Sequence, residues 1–97
     1  MIMKQSDESY NPDDATVYNQ LGLCKLEAGE AQAAIEAFET ALALNDSTMM
    51  QTLKYNQIVA YENAGEFAKA NALMKEYLAA YPDDADAQRE AKFLRTR

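Results

Sequence analysis

Residues 15–46 have the sequence ATVYNQLGLCKLEAGEAQAAIEAFETALALND, in which Ala28-Gly29-Glu30 separates two stretches rich in Ala and Leu. The same three residues return 36 positions later as Ala64-Gly65-Glu66, inside residues 51–82. At this offset small and large residues keep their places in both stretches. A fixed period of this length is typical of folds built from repeated structural units. The sequence therefore predicts two copies of one unit.

Apolar residues in both units recur every three or four positions, which is the spacing of one face of an α-helix. In the first segment Val17, Leu21, Cys24 and Ala28 form such a face, and we expect it to point into the core. The pattern predicts five helices, over about residues 15–28, 31–45, 48–63, 67–80 and 85–95. The low content of three Gly and two Pro also favours a few long helices over many short strands.

Glycine, proline and aspartate mark the ends of these helices. Gly29 and Gly65 lie where each pair of helices must turn, because a residue without Cβ adopts positive φ at little cost. Pro12-Asp13-Asp14-Ala15 returns as Pro82-Asp83-Asp84-Ala85. Proline ends one helix, and the aspartates are expected to cap the next. Ser47 is the expected N-cap of the third helix.

Two helix hairpins of about 34 residues, with Gly at the turn and Pro at the end, resemble the tetratricopeptide repeat. The first repeat, about residues 15–46, matches the family pattern at Tyr18, Leu21, Gly22, Gly29, Ala34, Phe38 and Ala41. The second, about residues 51–82, keeps Tyr61, Gly65, Phe67, Ala70 and Pro82, whereas Met74 and Tyr77 replace the Phe and Ala of the pattern. The resemblance implies an all-α fold of antiparallel helix hairpins, a fragment of a right-handed α-solenoid, with a capping helix at about residues 85–95.

Residues 12–97 are expected to form a single TPR-like domain. Residues 1–11 are either a flexible leader or the remnant of a preceding repeat, because Pro12 matches the terminal Pro of a repeat. A second register, at an offset of 37, aligns Tyr18–Leu21 with Tyr55–Ile58, but the offset of 36 needs no gap before the second turn and is preferred. Two repeats and a cap are fewer than the three units that such arrays usually need, which favours a missing neighbour or a dimer contact.

The composition excludes several classes of function. Sixteen acidic against nine basic side chains give a net charge of −7, which repels phosphate backbones and anionic lipids. We therefore predict no nucleic-acid partner and no membrane partner. The sequence lacks both the long apolar run of a membrane span and the apolar stretch of a secretion signal, so a cytoplasmic location is predicted.

Catalytic chemistry is also poorly supported by the residues present. The chain has no histidine and one cysteine, so it cannot build a Cys-His dyad. Cys24 is therefore expected to be a buried structural thiol on the inward face. Helix capping accounts for the adjacent aspartates, and no spaced metal-ligand loop or phosphate-binding glycine loop is present. We predict a protein that is not an enzyme and needs no cofactor or metal.

The resemblance implies that the first helix of each hairpin and the last helix line a concave groove that binds a partner. The residues carried over to this groove by position are Asn19, Leu23, Tyr55, Asn56, Val59, Arg89 and Phe93. The two asparagines would hold the backbone of an extended peptide, while Leu23, Tyr55 and Val59 receive its apolar side chains. Some family members grip a peptide carboxylate, but Leu23, Asp86 and Glu90 stand where an Asn and two cations would be needed. A neutral or basic partner is therefore predicted.

Two functions follow from this sequence. The first is a protein-protein interaction scaffold that binds a peptide or helix in the concave groove. The alternative is a structural self-association module within a larger protein, in which copies form a dimer or stack head to tail. The charge distribution motivates this alternative, because residues up to Asp46 carry nine acids against two bases, whereas Arg89, Lys92, Arg95 and Arg97 make the C-terminus locally basic.

Overall fold

The computed structural model describes residues 14–95, which form five α-helices and no strand. The helices are α1 (Ala15–Glu27), α2 (Ala31–Ala43), α3 (Met50–Asn63), α4 (Phe67–Ala80) and α5 (Ala85–Arg95). The all-α prediction is confirmed for this part of the chain. The predicted leader or repeat remnant at residues 1–11 and the boundary at Pro12 lie outside the described residues. Within residues 14–95, no helix has the length and apolar character needed to cross a bilayer.

Two aspartates cap helices as predicted. Asp14 Oδ1 accepts a hydrogen bond from the Thr16 N–H at 2.8 Å at the start of α1. Asp84 Oδ1 accepts the Ala87 N–H at 3.1 Å at the start of α5. Each carboxylate satisfies an amide that has no partner inside the helix and lies at the positive end of the helix dipole.

The predicted N-cap at Ser47 is wrong, and α3 begins later than the sequence suggested. Asp46 Oδ1 instead accepts both the Thr48 N–H at 3.0 Å and the Thr48 hydroxyl at 2.7 Å. This local turn occupies the residues that would have opened the helix, so the cap position falls on Met49, which makes no side-chain cap bond. Asn45, with φ of 58°, makes the reversal that follows α2.

The two glycine turns have the same hydrogen bonds 36 residues apart. Gly29 and Gly65 have φ values of 80° and 79°, as predicted. Beyond them the Glu30 N–H donates to the Lys25 carbonyl at 2.8 Å, and the Glu66 N–H donates to the Tyr61 carbonyl at 3.0 Å. These bonds satisfy carbonyls left unpaired at the end of each helix. Helices α1 and α2 therefore form one hairpin, and α3 and α4 form a second with an equivalent turn.

Each helix packs against the next one along the chain, and α1 also contacts α3. The largest fully buried side chains are Phe38, Leu53, Ile58 and Met74. The Phe38 ring on α2 lies directly against Gly22 on α1, because glycine has no side chain to separate the ring from the α1 backbone. The core thus runs along the line of helices.

The apolar face predicted for the first helix does not point into the core. Leu21 is 43% exposed and Cys24 is exposed, whereas α1 buries Ala15, Asn19 and Gly22. The prediction of a buried structural thiol at Cys24 is therefore wrong. Helical periodicity identifies an apolar face but not the presence of a neighbour, and among the described helices α1 packs only on α2 and, over a smaller area, on α3.

Candidate functional site

The predicted partner residues lie on three helices, α1, α3 and α5. Asn56 Nδ2 on α3 donates a hydrogen bond to Asn19 Oδ1 on α1 at 2.8 Å. Asn19 is 6% exposed and is the buried polar residue of the described core. A buried amide needs a partner, so this bond ties α1 to α3. The first role of the two amides is therefore to join α1 and α3. Each amide also has a second polar atom that this bond does not use.

Tyr55 is the centre of the site. It packs partly buried against the core, with its ring edge-on to Tyr77 at a centroid distance of 5.8 Å. Beside it lies a hollow of about 240 Å³ lined by Gln51, Thr52, Tyr55, Asn56, Tyr77, Asp84 and Asp86. Two predicted residues, Tyr55 and Asn56, therefore share one concave surface where α3 meets the start of α5.

Two carboxylates, Asp84 and Asp86, line the hollow beside Tyr55. Burial raises the pKa of Tyr55 above the ordinary value of 10.0, and the negative charges of Glu90, Asp86, Glu62 and Asp84 raise it further. Each of these charges opposes the formation of a second negative charge on the phenol. The hollow therefore has a negative potential, which favours a cationic group.

The other predicted residues are not brought into this hollow. Leu23 and Val59 are half-buried, and Leu23 packs against the core. Arg89 is exposed and forms an ion pair with Asp86, which offsets part of its charge. Phe93 is 43% exposed on α5. The structure thus divides the predicted groove into an acidic hollow at Tyr55 and flanking positions on α1 and α5.

Three other residues of the hollow, which the sequence analysis did not predict as partner residues, are joined by hydrogen bonds. The Tyr77 hydroxyl donates a hydrogen bond to Asp84 Oδ2 at 2.5 Å, and Gln51 Nε2 donates to the Tyr77 oxygen at 3.1 Å. Together they join α3, α4 and the start of α5. The signal was present at Tyr77, where the family pattern has Ala, because a larger polar residue there must find a partner.

A second hollow, of about 410 Å³, lies between α2, α3 and α4. Its lining includes Leu42, Met50, Ile58 and Leu73, with Lys54 and Glu76. It contains none of the predicted partner residues. One cation and one anion among these residues give no net preference for a charged ligand, whereas the hollow at Tyr55 favours cations.

No protein-family model, no curated protein and no solved structure matches this chain. The resemblance to the tetratricopeptide repeat therefore stays a prediction from residues 15–46 and 51–82. The candidate site depends on the geometry and charge of its own residues.

Tyr61 and Tyr77 link helices through carboxylates and make stability sensitive to high pH. The Tyr61 hydroxyl donates to Glu39 Oε2 on α2 at 2.6 Å. This hydrogen bond, together with burial, raises the pKa of Tyr61 to about 12. Burial and the hydrogen bond to Asp84 raise the pKa of Tyr77 to about 12. The same bond helps to hold the pKa of Asp84 below its ordinary value.

We expect these two tyrosines to contribute stability that is complete below their unfolded pKa of 10.0 and is lost as the pH rises toward their folded pKa of about 12. The double variant Tyr61→Phe/Tyr77→Phe has no hydroxyl to ionise at these positions, so its stability should fall less over that range. Denaturant unfolding followed across the alkaline range measures the difference. Tyrosinate absorbance is the control, because its component near pH 12 should vanish in the variant. An equal alkaline loss in both proteins would contradict this prediction.

Proposed function

We propose that this chain is a non-enzymatic protein-interaction module of the tetratricopeptide-repeat type, whose groove binds a basic peptide. The two hairpins are its repeats and α5 is its cap, together a fragment of a right-handed α-solenoid. The observation that carries the proposal is the acidic hollow at Tyr55, in which Asp84, Asp86 and two tyrosines meet. A hollow with these groups suits a lysine or arginine side chain better than any other protein group.

The repeat interpretation is supported by equivalent features of the two hairpins. Their glycine turns have equivalent hydrogen bonds, and α1 and α2 end where α3 and α4 end at an offset of 36 or 37 residues. Successive helices also pack in chain order. Packing of each helix mainly on its neighbours in the chain is typical of repeat arrays.

A bound peptide would make three kinds of contact. Its cation would approach Asp86 in the hollow and lie against the Tyr55 ring, which combines an ion pair with a cation–π contact. Its backbone would bond to the remaining polar atom of Asn56, which the buried Asn19 holds in place, and a neighbouring apolar side chain would contact Leu23. The exposed ion pair of Arg89 with Asp86 is weak enough to rearrange when a peptide cation arrives.

The test uses two fluorescent peptides that differ only in charge, one alternating Lys with Leu and one alternating Glu with Leu. We expect the lysine peptide to bind and the glutamate peptide not to bind. The variant Asp86→Asn/Glu90→Gln should weaken binding of the lysine peptide about tenfold, because each lost carboxylate contributes about 0.5–1 kcal/mol. Fluorescence anisotropy measures both affinities.

General attraction between an acidic protein and a basic peptide must be separated from binding in the hollow. The control Glu36→Gln/Glu76→Gln removes the same charge from exposed positions on α2 and α4, and it should keep most of the affinity. Tyr55→Ala tests the ring itself and should weaken binding at unchanged charge. Equal losses in the two charge variants, or full binding by a folded Tyr55→Ala variant, would overturn the proposal.

A further inference from the structure

Helix α1 presents an apolar stripe, formed by Val17, Leu21 and Cys24, that the other described residues leave uncovered. Leu21 and Cys24 are exposed, and Val17 is half-buried. Beside the stripe a hollow of about 250 Å³ runs between α1 and α2, lined by Tyr18, Leu21, Lys25, Ala33, Ala37 and Thr40 among others. Contiguous apolar surface of this kind usually marks a contact with another element.

The counterparts of this stripe on α3 and α5 are buried. The residues 36 positions after Val17 and Cys24 are Leu53 and Ala60 on α3, and both have no exposed area. The residues 70 positions after them, at the offset of the repeated Pro-Asp-Asp-Ala motif, are Ala87 and Leu94 on α5, which are also buried. Helix α3 packs there on the preceding α2, and α5 packs on the preceding α4.

The α1 stripe is therefore a surface shaped to receive a helix. In the second hairpin the equivalent positions of Tyr18 and Leu21 are Lys54 and Gln57. The open face of the first hairpin therefore has two large, largely apolar side chains where the second hairpin has a charged and an amide side chain.

Charge identifies the element that fits. Residues 14–46 carry six carboxylates and one lysine, Lys25, so two such faces repel each other. Exposed positions of α5 carry Lys92, Phe93 and Arg95, together with Arg89, whose charge is paired with that of Asp86. Lys92 and Arg95 lie three residues apart on one side of α5 and are the cations offered to a partner, and α5 lies at the opposite end of the line of helices from α1.

We propose that a second copy of this chain docks the exposed face of its α5 on the α1 stripe, in a head-to-tail contact. Phe93 of the second copy packs near Leu21, and Lys92 and Arg95 approach Glu36 and its neighbouring carboxylates. A head-to-tail contact leaves one unused face at each end of the assembly, so chains of copies grow with concentration. The contact is small and partly ionic, and it weakens as salt screens the charges.

Sedimentation velocity of the full chain tests this contact. The average mass should rise from monomer with concentration at about 0.05 M salt and return toward monomer at about 0.5 M salt. Leu21→Glu blocks the stripe and Lys92→Glu/Arg95→Glu blocks the α5 face, so each variant alone should stay monomeric. An equimolar mixture of the two should form one-to-one dimers that do not grow, because each partner supplies the face that the other lacks.

Matched controls carry the same changes in charge away from both faces. Leu44→Glu alters an exposed leucine at the end of α2, and Lys69→Glu/Lys75→Glu alters two exposed lysines on α4, and both variants should assemble like the unchanged protein. Circular dichroism establishes that every variant is folded. A monomer at all concentrations, or assembly that persists in Leu21→Glu, overturns the proposal.

Labelling of Cys24 measures whether the α1 stripe is covered, because Cys24 is the single cysteine of the chain. Its reaction with a maleimide should slow at least fivefold as assembly proceeds. Two other occupants of the stripe give different results, and either result overturns the proposal. A Cys24–Cys24 disulfide as the main oxidation product indicates two stripes packed face to face. If Cys24 of a monomer reacts slowly with the maleimide at every protein concentration, another segment of the same chain covers the stripe.

Discussion

Gly22→Val is expected to lower the free energy of unfolding by about 3 kcal/mol, through overpacking between α1 and α2. A Cβ at this position would lie 2.4 Å from Phe38 Cε1 and 2.6 Å from Phe38 Cζ, well inside van der Waals contact. Phe38 is fully buried, so its ring has no solvent-filled space to move into. The helices must separate or the ring must leave its rotamer. Denaturant unfolding followed by far-ultraviolet circular dichroism measures the loss.

The control for this prediction is a glycine with the opposite environment. A Cβ at Gly29 meets no heavy atom within 4 Å, but its φ of 80° disfavours other residues, so Gly29→Ala should cost only about 1–2 kcal/mol. Replacing the Phe38 ring with a smaller side chain tests this explanation. Gly22→Ala should lower the free energy of unfolding less in a Phe38→Leu background than in the unchanged protein. Additive effects of the two substitutions would refute the close contact as the cause.

Leu53→Ala should cost about 3 kcal/mol, because it removes a fully buried side chain and leaves a cavity between packed helices. Leu21→Ala should cost less than about 0.5 kcal/mol in dilute solution, because the side chain is exposed in the monomer. The two substitutions are chemically identical and both lie in helices, so burial is the main difference. For a small domain whose stability is about 5–15 kcal/mol, the first change removes a large fraction of the total.

The comparison is made by denaturant unfolding at micromolar protein concentration. Dilution matters because burial of Leu21 between copies would add to its apparent contribution at high concentration. Leu44→Ala, at another exposed leucine, is the matched control and should resemble Leu21→Ala. Equal losses for Leu53→Ala and Leu21→Ala in dilute solution would contradict the burial of these two side chains.

Local chemistry made the helices and their ends predictable. Asp14 and Asp84 cap because a carboxylate one or two residues before a helix can reach its first amides. Gly29 forms a turn because a residue without Cβ adopts positive φ at little cost. Each of these interactions spans only a few residues, so a short stretch of sequence is enough to predict it. The failure at Ser47 was also local, since Asp46 competed for the same turn.

The candidate site was only partly predictable, because its contacts join residues that are far apart in the sequence. The family resemblance placed Tyr55 and Asn56 in the predicted groove, and the structure brings both into the acidic hollow. The bond between Asn19 and Asn56 joins residues 37 positions apart, and the bond between Tyr77 and Asp84 joins a core position to a cap. Neither pairing follows from spacing within one helix.

The order of the residues alone determined where helices begin, turn and end, because these events depend on short-range hydrogen bonds and backbone preferences. It also determined that α1 has an apolar face, but not whether a neighbour covers that face. Only the packing of the helices decided that Leu53 is buried while Leu21 and Cys24 meet solvent. Burial depends on which helices are adjacent in space, and periodicity along one helix contains no information about its neighbours.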